Sequence, residues 1–158
     1  METYLRRETK RAVRYGSPVA LLFLDLDGFK AVNDAHGHMA GSRTLVEVGD
    51  LLRTDVRDID VVARWGGDEF GIVLAETGSS GALVMAERIR RRIEEHVYLR
   101  DFGLSCRISV SIGVAACPEH GRTPEALLAA ADTAMYAVKY AGKNGVRLAE
   151  PREALAPA

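Results

Sequence analysis

The chemistry begins with acids placed beside glycines. In Arg64-Trp65-Gly66-Gly67-Asp68-Glu69-Phe70 two carboxylates follow directly on a glycine pair. Charge concentrated there calls for a cation or a basic partner. Gly66 and Gly67 would let a phosphate or another backbone come close. A further acid, Asp25, stands at the end of the apolar run Val19-Ala20-Leu21-Leu22-Phe23-Leu24. A carboxylate at the end of a buried strand is held rigidly, as a metal site requires. Asp25, Asp68 and the backbone carbonyl of Leu26 are hard oxygen donors, which suit Mg²⁺ or Mn²⁺, ions that also bind nucleotide phosphates. Two such ions about 3.5–4 Å apart can clamp an attacking oxygen and a leaving pyrophosphate. Lys30 and Lys143 are candidates for neutralising phosphate charge, and Asn33 for reading a purine edge. Gly-Gly-Asp alone is more often a solvated turn, so the weight of the reading rests on the elements around it.

Those elements follow from hydrophobic period and punctuation. Val61-Val62-Ala63 and Phe70-Gly71-Ile72-Val73-Leu74 flank the glycines and read as a β-hairpin. Val19 to Leu24 reads as a central strand buried on both faces. Asp27 is read as structural, the N-cap of a short helix from Gly28 to Asn33. The segment 34–42, punctuated by Gly37 and Gly41, is expected to be a loop. Leu45, Val48, Leu52 and Val56 then recur at helical spacing, as do Ala82, Ala86, Ile89 and Ile93. Cys106 to Ala116 is expected to be a strand, and Thr123-Pro124 a helix start. Leu127 or Leu128, Ala131, Met135 and Val138 supply that helix's buried stripe, and Val146 to Leu148 an edge strand. The order α-β-α-α-β-β-α-β-α-β predicts an α/β sandwich, a mixed central sheet flanked by helices. A ferredoxin-like or polymerase-palm-like sheet of this kind would bring Asp25 beside the hairpin tip. The expected organisation is a linker-type helix over 1–16, one catalytic domain over 17–149 and a flexible tail over 150–158.

Composition limits the alternatives. The 158 residues are 47% hydrophobic, enough for one domain with its own core, and the net charge is -1. No basic field points to nucleic acid, and no apolar run is long enough to cross a membrane. Cys106 and Cys117 fit no metal spacing and read as reduced, buried thiols. The default setting is therefore the cytoplasm.

The chain resembles the GGDEF domain, the catalytic module of bacterial diguanylate cyclases. The resemblance rests on Leu24-Asp25-Leu26-Asp27-Gly28-Phe29-Lys30-Ala31-Val32-Asn33-Asp34, Gly37-His38-Met39-Ala40-Gly41 and Arg64 to Phe70. It continues through Ser109-Val110-Ser111-Ile112-Gly113-Val114-Ala115, then Ala131-Asp132 with Met135-Tyr136 and Lys139, and Gly142-Lys143-Asn144. The Asp-x-Leu-Thr-Gly-Leu-x-Asn-Arg-Arg segment that usually opens the domain is not found, so an upstream regulatory domain is expected in the full-length protein.

The resemblance implies roles. Asp25, the Leu26 carbonyl, Asp68 and Glu69 would hold two Mg²⁺ or Mn²⁺ ions per site, with Asp68 also the base for a 3′-hydroxyl. Lys30, Lys139 and Lys143 would hold phosphates, and Gly66 and Gly67 would make room for the triphosphate. Phe29, Asn33, His38 and Ser42 would line the nucleotide site. Each domain would hold one nucleotide, so catalysis implies a homodimer. Arg57-x-x-Asp60, assisted by Arg88, matches the family's product-inhibition site, where Arg can pair with guanine O6 and N7. The other reading of that pair is an ordinary helix-end ion pair.

One departure concerns substrate choice. The family usually has Asp after Gly-His-x-x-Gly, and here the residue is Ser42. A carboxylate accepts from guanine N1–H and the 2-amino group, whereas a hydroxyl can also donate to adenine N1. The Ser is similar to that of the hybrid promiscuous subgroup, which makes 3′,3′-cyclic GMP-AMP. The expected function is therefore a dinucleotide cyclase using GTP and ATP. The alternatives are a strictly GTP-specific diguanylate cyclase and a non-catalytic cyclic-dinucleotide receptor.

Overall fold

The computed structural model describes residues 1–151 and runs α1 (Glu2–Tyr15), β1 (Val19–Asp27), α2 (Phe29–His36), α3 (His38–Asp55), β2 (Val61–Gly66), β3 (Glu69–Ala75), α4 (Ser79–Glu95), β4 (Ser109–Cys117), α5 (Pro124–Tyr140) and β5 (Gly145–Leu148). The expected order of elements is therefore found. Of the expected tail, residues 152–158 lie outside the described residues.

Five strands form one mixed sheet in the order β2-β3-β1-β4-β5. β1 is central and antiparallel to both β3 and β4, while β4 and β5 are parallel. Its apolar run is continuous because both faces are covered. Val19, Leu21 and Phe23 pack with Leu5 and Ala12 of α1 and Leu127, Ala131 and Met135 of α5. Ala20, Leu22, Leu24 and Leu26 pack with Val48 and Leu52 of α3 and Ala86, Ile89 and Ile93 of α4. Side chains alternate along a strand, so Asp25 and Asp27 continue the Phe23 face, toward α5. Gly113 lets α5 lie against the sheet: a Cβ there would come within 1.8 Å of the Ala131 carbonyl oxygen.

Four expectations need correction. The helix expected as a linker over 1–16 is docked on the domain, with Leu5, Glu8, Thr9 and Ala12 buried. Its narrow apolar face is sufficient because the sheet offers a matching one. Segment 34–42 is helical at both ends rather than a loop: α2 runs to His36 and α3 starts at His38, with Gly37 at φ 87 making the break. Gly41 lies inside α3 because Asn33 needs the space, since a Cβ would sit 1.8 Å from Asn33 Oδ1. Asp27 does not cap α2, whose N-cap is Gly28 in the left-handed region with no side-chain hydrogen bond. The strand expected from Cys106 begins at Ser109, and Cys106 makes only an isolated bridge to Tyr98. Both cysteines are free and buried, and Thr123 caps α5 by accepting from Ala126 N.

Candidate active site at the end of the central strand

Register brings the sequence-distant acids together. Asp25 is paired with Glu69 on one side of β1 and Ser111 on the other. The amide of Leu26 donates to the Asp68 carbonyl at 3.2 Å, which docks the hairpin tip against the strand end. The turn itself is Gly67-Asp68, with Gly66 opposite Glu69 and an irregularity at Trp65. Gly67 needs its φ of 46, and neither Gly66 nor Gly67 has any atom within 4 Å of where a Cβ would be. The space above the glycines is thus open, as the approach of a phosphate requires. Arg64 pins the turn by donating from Nε to the Gly67 carbonyl at 2.8 Å, and Trp65 meets Phe23 edge-on at 6.0 Å.

Lys139, from α5, reaches into this cluster. Its Nζ lies 2.6 Å from Asp25 Oδ1, 2.8 Å from Asp27 Oδ1 and 3.3 Å from the Leu26 carbonyl oxygen. Asp27 accepts three more bonds: Ser109 Oγ and Ser111 Oγ donate at 2.8 and 2.9 Å, and the Asn144 amide at 3.0 Å. Burial works to raise the Asp27 pKa, but the bonds from Lys139, Ser109, Asn144 and Ser111 outweigh it and hold the carboxyl below its ordinary value. Asp25 goes the other way. Burial raises it, the charges of Asp68 and Asp27 add to that, and the Lys139 bond does not fully offset them. Glu69 is raised by burial and then by Asp25, Asp132 and Asp68.

The donor set fits a hard divalent cation. The Asp25 carboxylate and the Leu26 carbonyl already converge on one positive centre, the Lys139 ammonium. Burial, and after it the neighbouring acids, raise the pKa values of Asp25 and Glu69, so a cation placed among them would relieve both costs. Among the described residues no three Asp, Glu, His or Cys side chains close a metal cage. An open set of carboxylates with a carbonyl is what Mg²⁺ needs when phosphates complete its shell.

The remaining phosphate and base candidates border the same end. Lys30, on the first turn of α2, is exposed, and Phe29 beside it packs on the core. Lys143 is exposed at φ 66 in the turn after α5, whose next residue, Asn144, is tied to Asp27. Asn33 lies against Gly41, which puts its amide beside the start of α3 where Ser42 stands. Ser42 opens on two shallow grooves. One, of about 360 Å³, is bordered by Leu45, Val62, Arg64 and Phe70; the other, of about 650 Å³, by His36, His38, Met39 and Phe102.

Arg57 and Asp60 form a separate, closed corner. Arg57 donates to both Asp60 oxygens at 3.3 and 3.2 Å, to the Ala75 carbonyl at 2.6 Å and to Thr77 Oγ1 at 2.9 Å. Asp60 also accepts from the Arg57 and Ala75 amides. Its side chain is fully buried while that of Arg57 is half exposed. Arg88 is bound nearby to Asp55, at the end of α3.

Two features of the site emerge only in the folded chain. Asp27 is the anchor joining β1, β4 and the turn after α5; the signal was Asp-x-Asp and Ser-x-Ser, each placing two polar groups on one strand face. Asp132, near enough to Glu69 to raise its pKa, sits in the α5 motif already noted.

Comparison with known proteins agrees with this fold. The family model described as diguanylate cyclase, GGDEF domain, matches residues 1–145. The chain is 41% identical over 145 residues to the bifunctional diguanylate cyclase/cyclic di-GMP phosphodiesterase MucR of Pseudomonas aeruginosa, covering 92% of this chain and 21% of that protein. It is 41% identical over 150 residues to the diguanylate cyclase TpbB of the same species, covering 94% and 34%. The chain thus spans between a fifth and about a third of the length of these relatives. The crystal structure of the TpbB GGDEF domain superposes with a TM-score of 0.90 at 40% identity, covering 96% of this chain and 94% of that one. The GGDEF domain of DgcB from Caulobacter crescentus, in complex with c-di-GMP, superposes with a TM-score of 0.85 at 28% identity, covering 92% and 86%. With the family model matching residues 1–145 and the fold superposing on the TpbB domain at 40% identity, the chain belongs to the GGDEF domain family of diguanylate cyclases.

Proposed function

We propose that this domain condenses two molecules of GTP into cyclic di-GMP and releases pyrophosphate. The observation that carries the reading is the meeting of Asp25, the Leu26 carbonyl, Asp68 and Glu69 at one open end of the sheet, under a glycine turn with free space above it. Asp25, Leu26 and Asp68, with Glu69 as a further ligand, would hold two Mg²⁺ or Mn²⁺ ions. When bound, these supply Lewis-acid stabilisation of the negative charge that builds on the phosphate oxygens. Lys30, Lys139 and Lys143 bind the triphosphate. Asp68 takes the proton of the attacking 3′-hydroxyl. A bond forms between that oxygen and the α-phosphorus of the other nucleotide, and the bond from that phosphorus to the pyrophosphate oxygen breaks. The step occurs twice to close the ring.

One domain offers one such site, so two domains face each other, and the active species is a homodimer. Arg57, oriented by the buried Asp60 and assisted by Arg88, offers its exposed guanidinium to cyclic di-GMP as an inhibitory product. Asp60 acts there by holding Arg57, since its own oxygens are occupied. GTP as substrate sets the reaction in the cytoplasm, with regulatory domains elsewhere in the full-length protein.

A second reading is favoured by Ser42. Sites that hydrogen-bond one base can reject another by roughly 10⁴–10⁵-fold, and a hydroxyl at this position relaxes that demand. Under this reading ATP also enters and cyclic GMP-AMP forms beside cyclic di-GMP. Incubating the domain with Mg²⁺ and equimolar GTP and ATP, then separating products by mass, decides between them. Cyclic di-GMP alone is expected from the first reading. A substantial mixed product, abolished by Ser42→Asp, supports the second. No dinucleotide at any protein concentration contradicts both and favours a cyclic-dinucleotide receptor.

A further inference from the structure

A lysine ammonium has three N–H donors, and Lys139 has three oxygens to meet them: Asp25 Oδ1 at 2.6 Å, Asp27 Oδ1 at 2.8 Å and the Leu26 carbonyl at 3.3 Å. Two of these three, on Asp25 and Leu26, are the oxygens proposed above to hold a metal. The side chains of Lys139 and Asp25 are only 20% and 22% exposed, so solvent screens the site weakly. A divalent ion and an ammonium cannot share those two oxygens without strong repulsion.

We propose that Lys139 is a tethered surrogate cation: it fills the metal position of the nucleotide-free domain, holds free divalent ions off, and yields when a triphosphate gives its ammonium a new partner. The inference rests on the metal site under the proposed function. Two features make the exchange feasible. Asp27 keeps its bonds from Ser109, Ser111 and the Asn144 amide when the lysine leaves, so the anchor of the fold stays paired. Asp25 has no ion pair other than that with Lys139 among the described residues, and it must therefore take a replacement cation as the lysine departs. The four-carbon stem on α5 allows that swing without movement of the helix. Metal and nucleotide are thereby coupled: each raises the affinity for the other, and the cation is recruited together with the triphosphate rather than stored in advance.

Binding of Mn²⁺ to the nucleotide-free domain, read from the electron paramagnetic resonance signal of the free ion, tests this without turnover. The wild type is expected to bind weakly, and Lys139→Met at least about tenfold more tightly, because a competing charge at contact distance has been removed. Lys139→Gln retains a donor for Asp27 and guards against a folding defect, with circular dichroism as the check. It should show the same gain, and adding Asp25→Asn to either variant should abolish it. Unchanged Mn²⁺ affinity in both lysine variants overturns the inference. If Mn²⁺ then binds together with a non-hydrolysable GTP analogue, the metal-site reading stands; if it does not bind even then, that reading falls as well.

Discussion

Asp25 and Asp27 lie two residues apart on one strand, face the same helix and share one lysine, yet they are opposite in character. Asp27 is enclosed by Ser109, Ser111, Lys139 and the Asn144 amide, and its pKa is lowered. Asp25 has the same lysine and is paired in register with Glu69, but burial, and after it the charges of Asp68 and Asp27, raise its pKa. One step of the β pleat separates a carboxylate that holds the fold from a carboxylate left undercompensated. The difference teaches where function is kept: a site that must take up a cation cannot be satisfied in advance, whereas an anchor must be. The Arg57–Asp60 corner repeats the lesson, with a buried acid that is bonded on every side and an arginine that remains half exposed.

Substitution should separate the two roles. The largest effect is expected from Asp25→Asn, which should reduce cyclic di-GMP formation by at least about 10³-fold through loss of metal binding, while the circular dichroism spectrum stays native. Comparable activity in this variant would remove the distinction. Asp27→Ala should act on stability instead, lowering it by about 3–5 kcal/mol in urea unfolding, because it breaks a buried ion pair and strands two hydroxyls and an amide. A change below about 1 kcal/mol would show that the anchor is dispensable. Ser111→Ala removes one donor from Asp27 and should cost about 1–2 kcal/mol.

Acid should weaken the anchor in a predictable direction. A carboxylate with a lowered folded pKa contributes stability that is present above its unfolded value, about pH 4, and is lost as pH falls through the lower folded value. The wild type should therefore lose stability below about pH 4 more steeply than Asp27→Ala does. Asp25 has the reverse sign: its contribution is present only below the unfolded value and is lost as pH rises through the higher folded one. Asp25→Asn should then be neutral to slightly stabilising at pH 7 without metal, by less than about 1 kcal/mol, the smallest of these effects. A marked destabilisation would mean that Asp25 is also structural.

What the sequence shows and hides follows the range of the forces involved. The burial of β1 on both faces was legible from six consecutive apolar residues, and the α4 stripe from its period, since both signals are local. The hairpin was legible because its turn glycines stand between two strand-like runs. The role of Asp27 was not, since its partners Ser109, Ser111 and Asn144 are distant in the chain and only the fold brings them together. Local reasoning offered the helix cap instead. The start of α3 was obscured by glycines that usually mark a loop; Gly41 is there to admit the Asn33 side chain, a tertiary demand written in a residue that looks like punctuation. Asp25, Asp68, the Leu26 carbonyl, Lys30 and Lys143 were candidates from residue type and placement, Glu69 and Lys139 only from the family resemblance, and the structure adds the contact between Lys139 and Asp25.

Under the proposed function, the open acidic end of the sheet converts GTP with the help of a divalent ion. The most direct measurement is cyclic di-GMP formed from GTP by the purified domain over a series of protein concentrations, with Mg²⁺ and again after EDTA. The proposed function requires a product of the cyclic di-GMP mass, a specific activity that rises with protein concentration as dimers form, and no product after chelation. Absence of product across the whole series, or formation undiminished by EDTA, would contradict it.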